Sequence, residues 1–144
     1  MDTEAPYEII TRFSTEQEQE LQGLFDLQPI SRGRSLEEIR ALIKHSDLII
    51  GCQAKTTGRL VGCGRALSDY FYKAWIFDVR VAEDHRGNGV GKAIIKYILQ
   101  YPDFQRVKHF ELICRPETAG FYTKLGFSSV LDDREYLRLT PHHD

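Results

Sequence analysis

The sequence predicts an α/β domain built on a mixed, mostly antiparallel sheet, and three observations carry that class. Two apolar runs flank Thr56-Thr57-Gly58, which is hairpin chemistry. A β-branched strand then ends in the Gly-rich stretch Asp78–Lys92, which opens straight into an amphipathic helix. A further strand follows that helix and completes one parallel crossover, so the element order reads βααβββαβαβ.

Each element has its own signal. Tyr7 to Phe13 is rich in β-formers and reads as the first strand. Ser14 with Gln17 makes a capping box for a helix through Phe25, with Leu21, Leu24 and Phe25 on one face. Ser35 with Glu38 makes a second box, ahead of Leu36, Ile39, Leu42 and Ile43, for a helix ending near Ser46; Glu37 to Arg40 reads as its solvated face. Leu48 to Lys55 and Arg59 to Leu67 form the hairpin, with Gly58 at positive φ. Phe71 to Val81 is apolar on both parities apart from Asp78 and Arg80, which predicts a central strand buried on both faces. Val90, Ala93, Ile94, Tyr97 and Ile98 recur at helical spacing up to about Tyr101, before Pro102. Val107 to Cys114 is the next strand, Thr118 to Leu125 a short helix stopped by Gly126, and Tyr136 to Thr140 a last strand.

Composition bounds the function. The chain has 144 residues, 42% hydrophobic and 28% charged, as expected for one domain over 1–144. A formal net charge of -2 supplies no basic field, so nucleic acid is not an expected partner. The start, MDTEAPYEII, is acidic where a signal peptide is basic, and no apolar run approaches the ~18 residues that span a bilayer. A cytoplasmic location without a membrane partner is the expectation. The cysteines Cys52, Cys63 and Cys114 never form a CxxC pair and read as buried thiols, with neither a disulfide framework nor a metal site expected.

The glycine turn is where the chemistry is expected. Glycines before a helix let backbone N–H groups converge on an anion at the positive end of the helix. A Walker A loop is excluded because Arg86 stands where its first glycine belongs and Ala93 follows Lys92; a Rossmann fingerprint is excluded because Lys92 follows Gly87 and Gly89 at the wrong place. What fits is R-x-x-G-x-G: Arg86, Gly89 and Gly91.

With these residues in view, VRVAEDHRGNGVGKAI resembles motif A of the GNAT superfamily of acetyl-CoA-dependent N-acetyltransferases, and TAGFYTKLGF, Thr118 to Phe127, resembles motif B one strand later. The resemblance implies the GNAT fold, with two parallel strands that splay and helices on both faces of the sheet. It implies acetyl-CoA as co-substrate, with Arg86, Gly87, Asn88, Gly89, Val90, Gly91 and Lys92 cradling the pyrophosphate. Val79 and Val81 would offer strand backbone to the pantetheine arm, and the Val81 amide could polarise the thioester carbonyl. Tyr122 would be the acid, since a phenol of reference pKa ~10 can protonate a leaving thiolate of thiol pKa ~8.5. Relatives are commonly homodimers.

Asp78 is the candidate base. The alternative pairs it with Arg80 or Arg65 and has it hold the strands in register. Glu83 and Glu117 are rival bases on nearby loops, and a water chain held by backbone is a further arrangement. Phe121 reads as core, Cys114 as a buried thiol, and the histidines receive no role. Arg115 stands where many relatives carry Asn, and Phe77 replaces an acidic residue found in glucosamine-6-phosphate N-acetyltransferases. The expected reaction is direct acetyl transfer to a primary amine of a small molecule, with the acceptor shaped by Leu27 to Ser46 and Ser68 to Lys73. Arg32, Arg34 and Tyr70 read there as solvated loop residues, the alternative being that they favour an anionic or aromatic acceptor. The competing readings are a protein lysine or amino-terminal acetyltransferase and a catalytically silent coenzyme A sensor.

Overall fold

The computed structural model describes residues 5–129 and 133–141. The chain divides into two compact units, Met1–Ile113 and Cys114–Asp144. The first contains β1 (Tyr7–Ile10), α1 (Thr15–Phe25), α2 (Leu36–His45), β2 (Leu48–Ala54), β3 (Leu60–Ser68), β4 (Lys73–Val81), α3 (Val90–Leu99) and β5 (His109–Leu112). The second contains α4 (Ala119–Lys124), closed by Gly126 at φ +102°.

Both capping boxes form as read, Ser14 with Gln17 and Ser35 with Glu38, each satisfying helix-start N–H groups that have no intrahelical acceptor. Gly58 takes φ +71° in the β2–β3 turn. The sheet order is β1-β2-β3-β4-β5, antiparallel except for the β4–β5 pair. The mixed sheet is therefore as expected, but β3 is its centre, not β4. Leu60 to Gly64 are all buried, whereas along β4 burial alternates between buried Ala74 and Ile76 and half-buried Trp75 and Phe77.

Glycine on β3 explains how it is covered on both sides. A Cβ on Gly62 would stand 2.7 Å from Val90 Cγ1, and one on Gly64 would stand 2.8 Å from Ile94 Cγ2, so α3 lies directly on backbone. Val90, Ile94, Ile95 and Ile98 are buried there, each contributing roughly 1.5–3 kcal/mol of apolar burial. Ala93, expected on that face, is exposed. Cys63, Arg65 and Arg80 turn to the opposite face, where Ser31 after α1 and Arg34 and Ser46 at the ends of α2 meet them.

Several boundaries and positions differ from expectation. β1 stops at Ile10 because Ser14 already caps α1; α3 stops at Leu99 and β5 covers only His109–Leu112. Tyr136 to Thr140 forms no strand: its alternating pattern supplies β-propensity, but a strand requires a ladder, and Leu137 and Leu139 are 85% and 84% exposed. Cys52 and Cys63 are buried as expected, but Cys114 is exposed just beyond the end of β5. Phe121 is 38% exposed, its ring set edge-on to Tyr122 and not in a core. Among the described residues no helix is long and apolar enough to cross a membrane, and no group of three or more His, Cys, Asp or Glu could hold a metal.

Candidate functional site

The site begins with a fault in β4. On β3 the register advances two residues from Cys63 to Arg65 while on β4 it moves three, from Arg80 to Phe77, so β4 carries one extra residue. Asp78 absorbs it with φ +57°, a left-handed conformation that Asp tolerates better than most residues. On the other side the parallel ladder with β5 ends at Ile76↔Leu112, two residues before Asp78. Phe77 to Val81 thus continues past the end of the β5 ladder, which is the splay the family likeness implied.

The backbone at this opening has a defined direction. Ala82 N–H bonds to Val61 O at 2.8 Å, and Val81 lies opposite Gly62. Antiparallel strands alternate hydrogen-bonded and non-bonded pairs, so Val81 turns its N–H and C=O away from β3. An extended amide chain could pair there as an added strand. The Val79 side chain points to the Gly64 and α3 side of the sheet, 3.6 Å from where a Cβ on Gly64 would lie.

Beyond Val81, a single 3-10 turn, Glu83–His85, leads into Arg86, Gly87, Asn88 and Gly89, all four exposed. Gly87 and Gly89 both have φ +81°, and no atom lies within 4 Å of where either would carry a Cβ. Gly89 is the N-cap of the ten-residue α3 and brings no capping side chain, so the first-turn N–H groups of Val90, Gly91 and Lys92 face outward at the positive end of the helix. Asn88 Nδ2 donates to His85 O at 3.1 Å and so stiffens the turn. Tyr7 Oη and His85 Nδ1 share a hydrogen bond of 2.8 Å, tying the turn to β1. Open left-handed glycines at an uncapped helix start suit a pyrophosphate, and the residues present therefore fit the coenzyme the family likeness implied.

Asp78 is not a lone carboxylate. Arg34 Nη1 and Nη2 donate to it at 2.9 and 3.3 Å, Arg65 Nε at 2.7 Å, and Arg80 Nη2 stands 3.7 Å away. Burial alone would raise its pKa, but hydrogen bonds and charge from Arg34 and Arg65 outweigh it and hold the carboxyl below the usual range. Arg34 is correspondingly no solvated loop residue: its guanidinium lies over the Phe25 ring at 4.7 Å. The sequence offered pairing of Asp78 with Arg65 or Arg80 as the alternative to a base, and both stand beside it; Arg34, 44 positions away, was the member not legible.

An open groove of 630 Å3 adjoins the turn, lined by Glu20, Leu24 and Leu27 from α1 and its end, and by Arg59, Ala82 and Glu83 among others. The Ser68 to Lys73 loop, expected to shape the acceptor site, instead precedes β4, at the end of the strand opposite Val81, roughly 26 Å away at strand rise. In the second unit, Tyr122 on α4 is half-buried, its ring edge-on to Phe121 at 5.0 Å and to Phe127 at 5.8 Å. Glu117 there pairs with Arg115 at 3.3 Å in an exposed contact.

Comparison with known proteins identifies the family. The sequence matches the Acetyltransferase (GNAT) family over residues 7–127, and the chain belongs to that family. It is 34% identical over 96 residues to the uncharacterized N-acetyltransferase ycf52 of Porphyra purpurea, covering 65% of this chain and 55% of that one. Over 99 residues it is 29% identical to GCN5-related N-acetyltransferase 1, chloroplastic, of Arabidopsis thaliana, covering 69% and 50%. The chain thus spans about half the length of these relatives. A crystal structure of an acetyltransferase of the GNAT family from Xanthomonas campestris superposes with TM-score 0.75 at 27% identity, covering 91% of this chain and 93% of the other. Glucosamine-6-phosphate N-acetyltransferase from Arabidopsis thaliana shares the fold, with TM-score 0.74 at 17% identity and coverage of 96% and 99%.

Proposed function

We propose that the chain is an N-acetyltransferase that uses acetyl-CoA to acetylate a primary amine of a small molecule by direct attack in a ternary complex. The observation that carries it is the continuity from the outward Val81 backbone to the glycine turn at the start of α3. One strand edge and one helix start, joined by a few residues, match an extended amide arm ending in a pyrophosphate.

Acetyl-CoA supplies an acetyl group activated as a thioester. The first-turn N–H groups of Val90, Gly91 and Lys92, with open approach at Gly87 and Gly89, hold the pyrophosphate; Arg86 and Asn88 shape the turn. Val79 and Val81 align the pantetheine arm, and the Val81 N–H stabilises charge on the carbonyl oxygen. The amine nitrogen attacks the carbonyl carbon; a C–N bond forms, the C–S bond breaks, and Tyr122 Oη protonates the departing sulfur. The ammonium proton leaves to solvent. Asp78, held ionised by two arginines, is a weak base, and its part is to fix the bulge and orient Arg34 and Arg65.

The test is thermal: acetyl-CoA binding only the folded state should raise Tm in proportion to the logarithm of its concentration. A flat titration to millimolar acetyl-CoA sinks the proposal.

A further inference from the structure

Around Asp78, three guanidiniums face one carboxylate, an excess of two positive charges in a partly buried cluster. Glu38, the other carboxylate that feels Arg34, is exposed on the first turn of α2 and engaged with Ser35. Placing like charges together in a semi-buried site is costly unless an anion joins them.

Two of the three still have donors to give. A guanidinium offers five N–H groups. Arg34 directs two bonds at Asp78, and Arg65 directs one at Asp78 and one at Ser46 Oγ at 3.5 Å. Their side chains remain 21% and 12% exposed, so neither is sealed from solvent. Phe25 lies under Arg34 and Phe77 under Arg65, at 4.7 and 4.8 Å, which fixes both planes. The two immobilised guanidiniums meet at one point, the Asp78 carboxylate, and each has N–H groups beyond those it gives Asp78 with which to bind a second oxyanion beside it. The point is one residue before Val79, at the bulge where β4 parts from β5, and Arg34 belongs to the loop between α1 and α2.

We propose, resting on the acetyl-transfer reading, that Arg34 and Arg65 form an anion subsite for the acceptor, so that the preferred substrate is a small amine carrying a carboxylate or phosphate group. The same positive field lowers the pKa of an arriving ammonium and so supplies the neutral nucleophile that attack requires. Polycationic amines are repelled from the site.

The experiment is thiol release from acetyl-CoA with matched acceptors that differ in the charge beside the amine: tyrosine, tyrosine amide and tyramine, and O-phosphoethanolamine with ethanolamine. The anionic member of a set should exceed its neutral or cationic partners by about tenfold or more in kcat/KM, chiefly through KM. Which set shows the preference distinguishes carboxylate from phosphate. Arg34→Gln should shrink the preference to within about twofold, with Arg34→Lys between, while the acetyl-CoA-induced Tm shift persists in both. Equal or better turnover of tyramine, tyrosine amide and ethanolamine overturns the inference and leaves the acetyl-transfer reading standing. Silence with every acceptor, including non-anionic ones, overturns both.

Discussion

Arg65 reaches across from β3 to donate to Asp78 at 2.7 Å, at the one residue where β4 leaves regular strand geometry. The left-handed backbone at Asp78 and the ion pair at its side chain support each other. A strained φ persists only where its surroundings fix it.

That pairing has a pH signature. The folded-state pKa of Asp78 is lowered, so its contribution to stability is present above the ordinary carboxylate value of ~3.9 and is lost as pH falls through the folded-state value. Asp78→Asn should therefore be less stable than wild type at neutral pH, with the gap narrowing in acid. Urea midpoints between pH 6 and pH 2.5 measure this. The acidic limb of the pH–rate profile should persist in Asp78→Asn; its disappearance would restore Asp78 as the general base.

Tyr122→Phe removes only the phenolic oxygen. Coenzyme binding should remain and turnover should fall ~10²-fold or more. An unchanged rate would return Tyr122 to packing between Phe121 and Phe127.

The seating of α3 on Gly62 predicts a second kind of loss. Gly62→Ala places a methyl 2.7 Å from Val90 Cγ1 and 2.9 Å from Ile94 Cδ1, so the helix must move or strain, at about 1–3 kcal/mol. Because Val90 opens the helix whose N–H groups face the turn, acetyl-CoA affinity should fall along with Tm. A lowered Tm with coenzyme affinity intact would show that the cradle does not depend on that seating.

Thiol reactivity should separate the three cysteines. Burial pushes Cys63 up to about 12 and Cys52 up to about 11, while Cys114 is exposed. One equivalent of an aromatic disulfide reagent should react quickly in the native state, and Cys114→Ser should abolish that phase.

Local chemistry was readable from the sequence, and so was the pairing of Asp78 with Arg65 as one alternative, but pairing over longer separations was not. Ser14-x-x-Gln17 and Ser35-x-x-Glu38 announce their helices within four residues, and Gly58 announces a left-handed turn; the positive φ of Gly87 and Gly89 is the structure's addition. The apolar run through Phe77, Val79 and Val81 suggested burial on both faces, when an extra residue at Asp78 had shifted the alternation. Arg34 joins Asp78 across 44 positions, a contact no spacing rule encodes. The alternation in Tyr136 to Thr140 reported propensity alone, and Leu137 and Leu139 show that propensity without a ladder leaves apolar side chains in water.

The hydrogen bond between Tyr7 and His85 joins β1 to the 3-10 turn that leads into the glycine loop. Across 78 positions, β1 acts as a brace for the glycine turn. Anything that pulls on the amino terminus, a fused tag or a preceding domain, is therefore mechanically in series with the glycine loop.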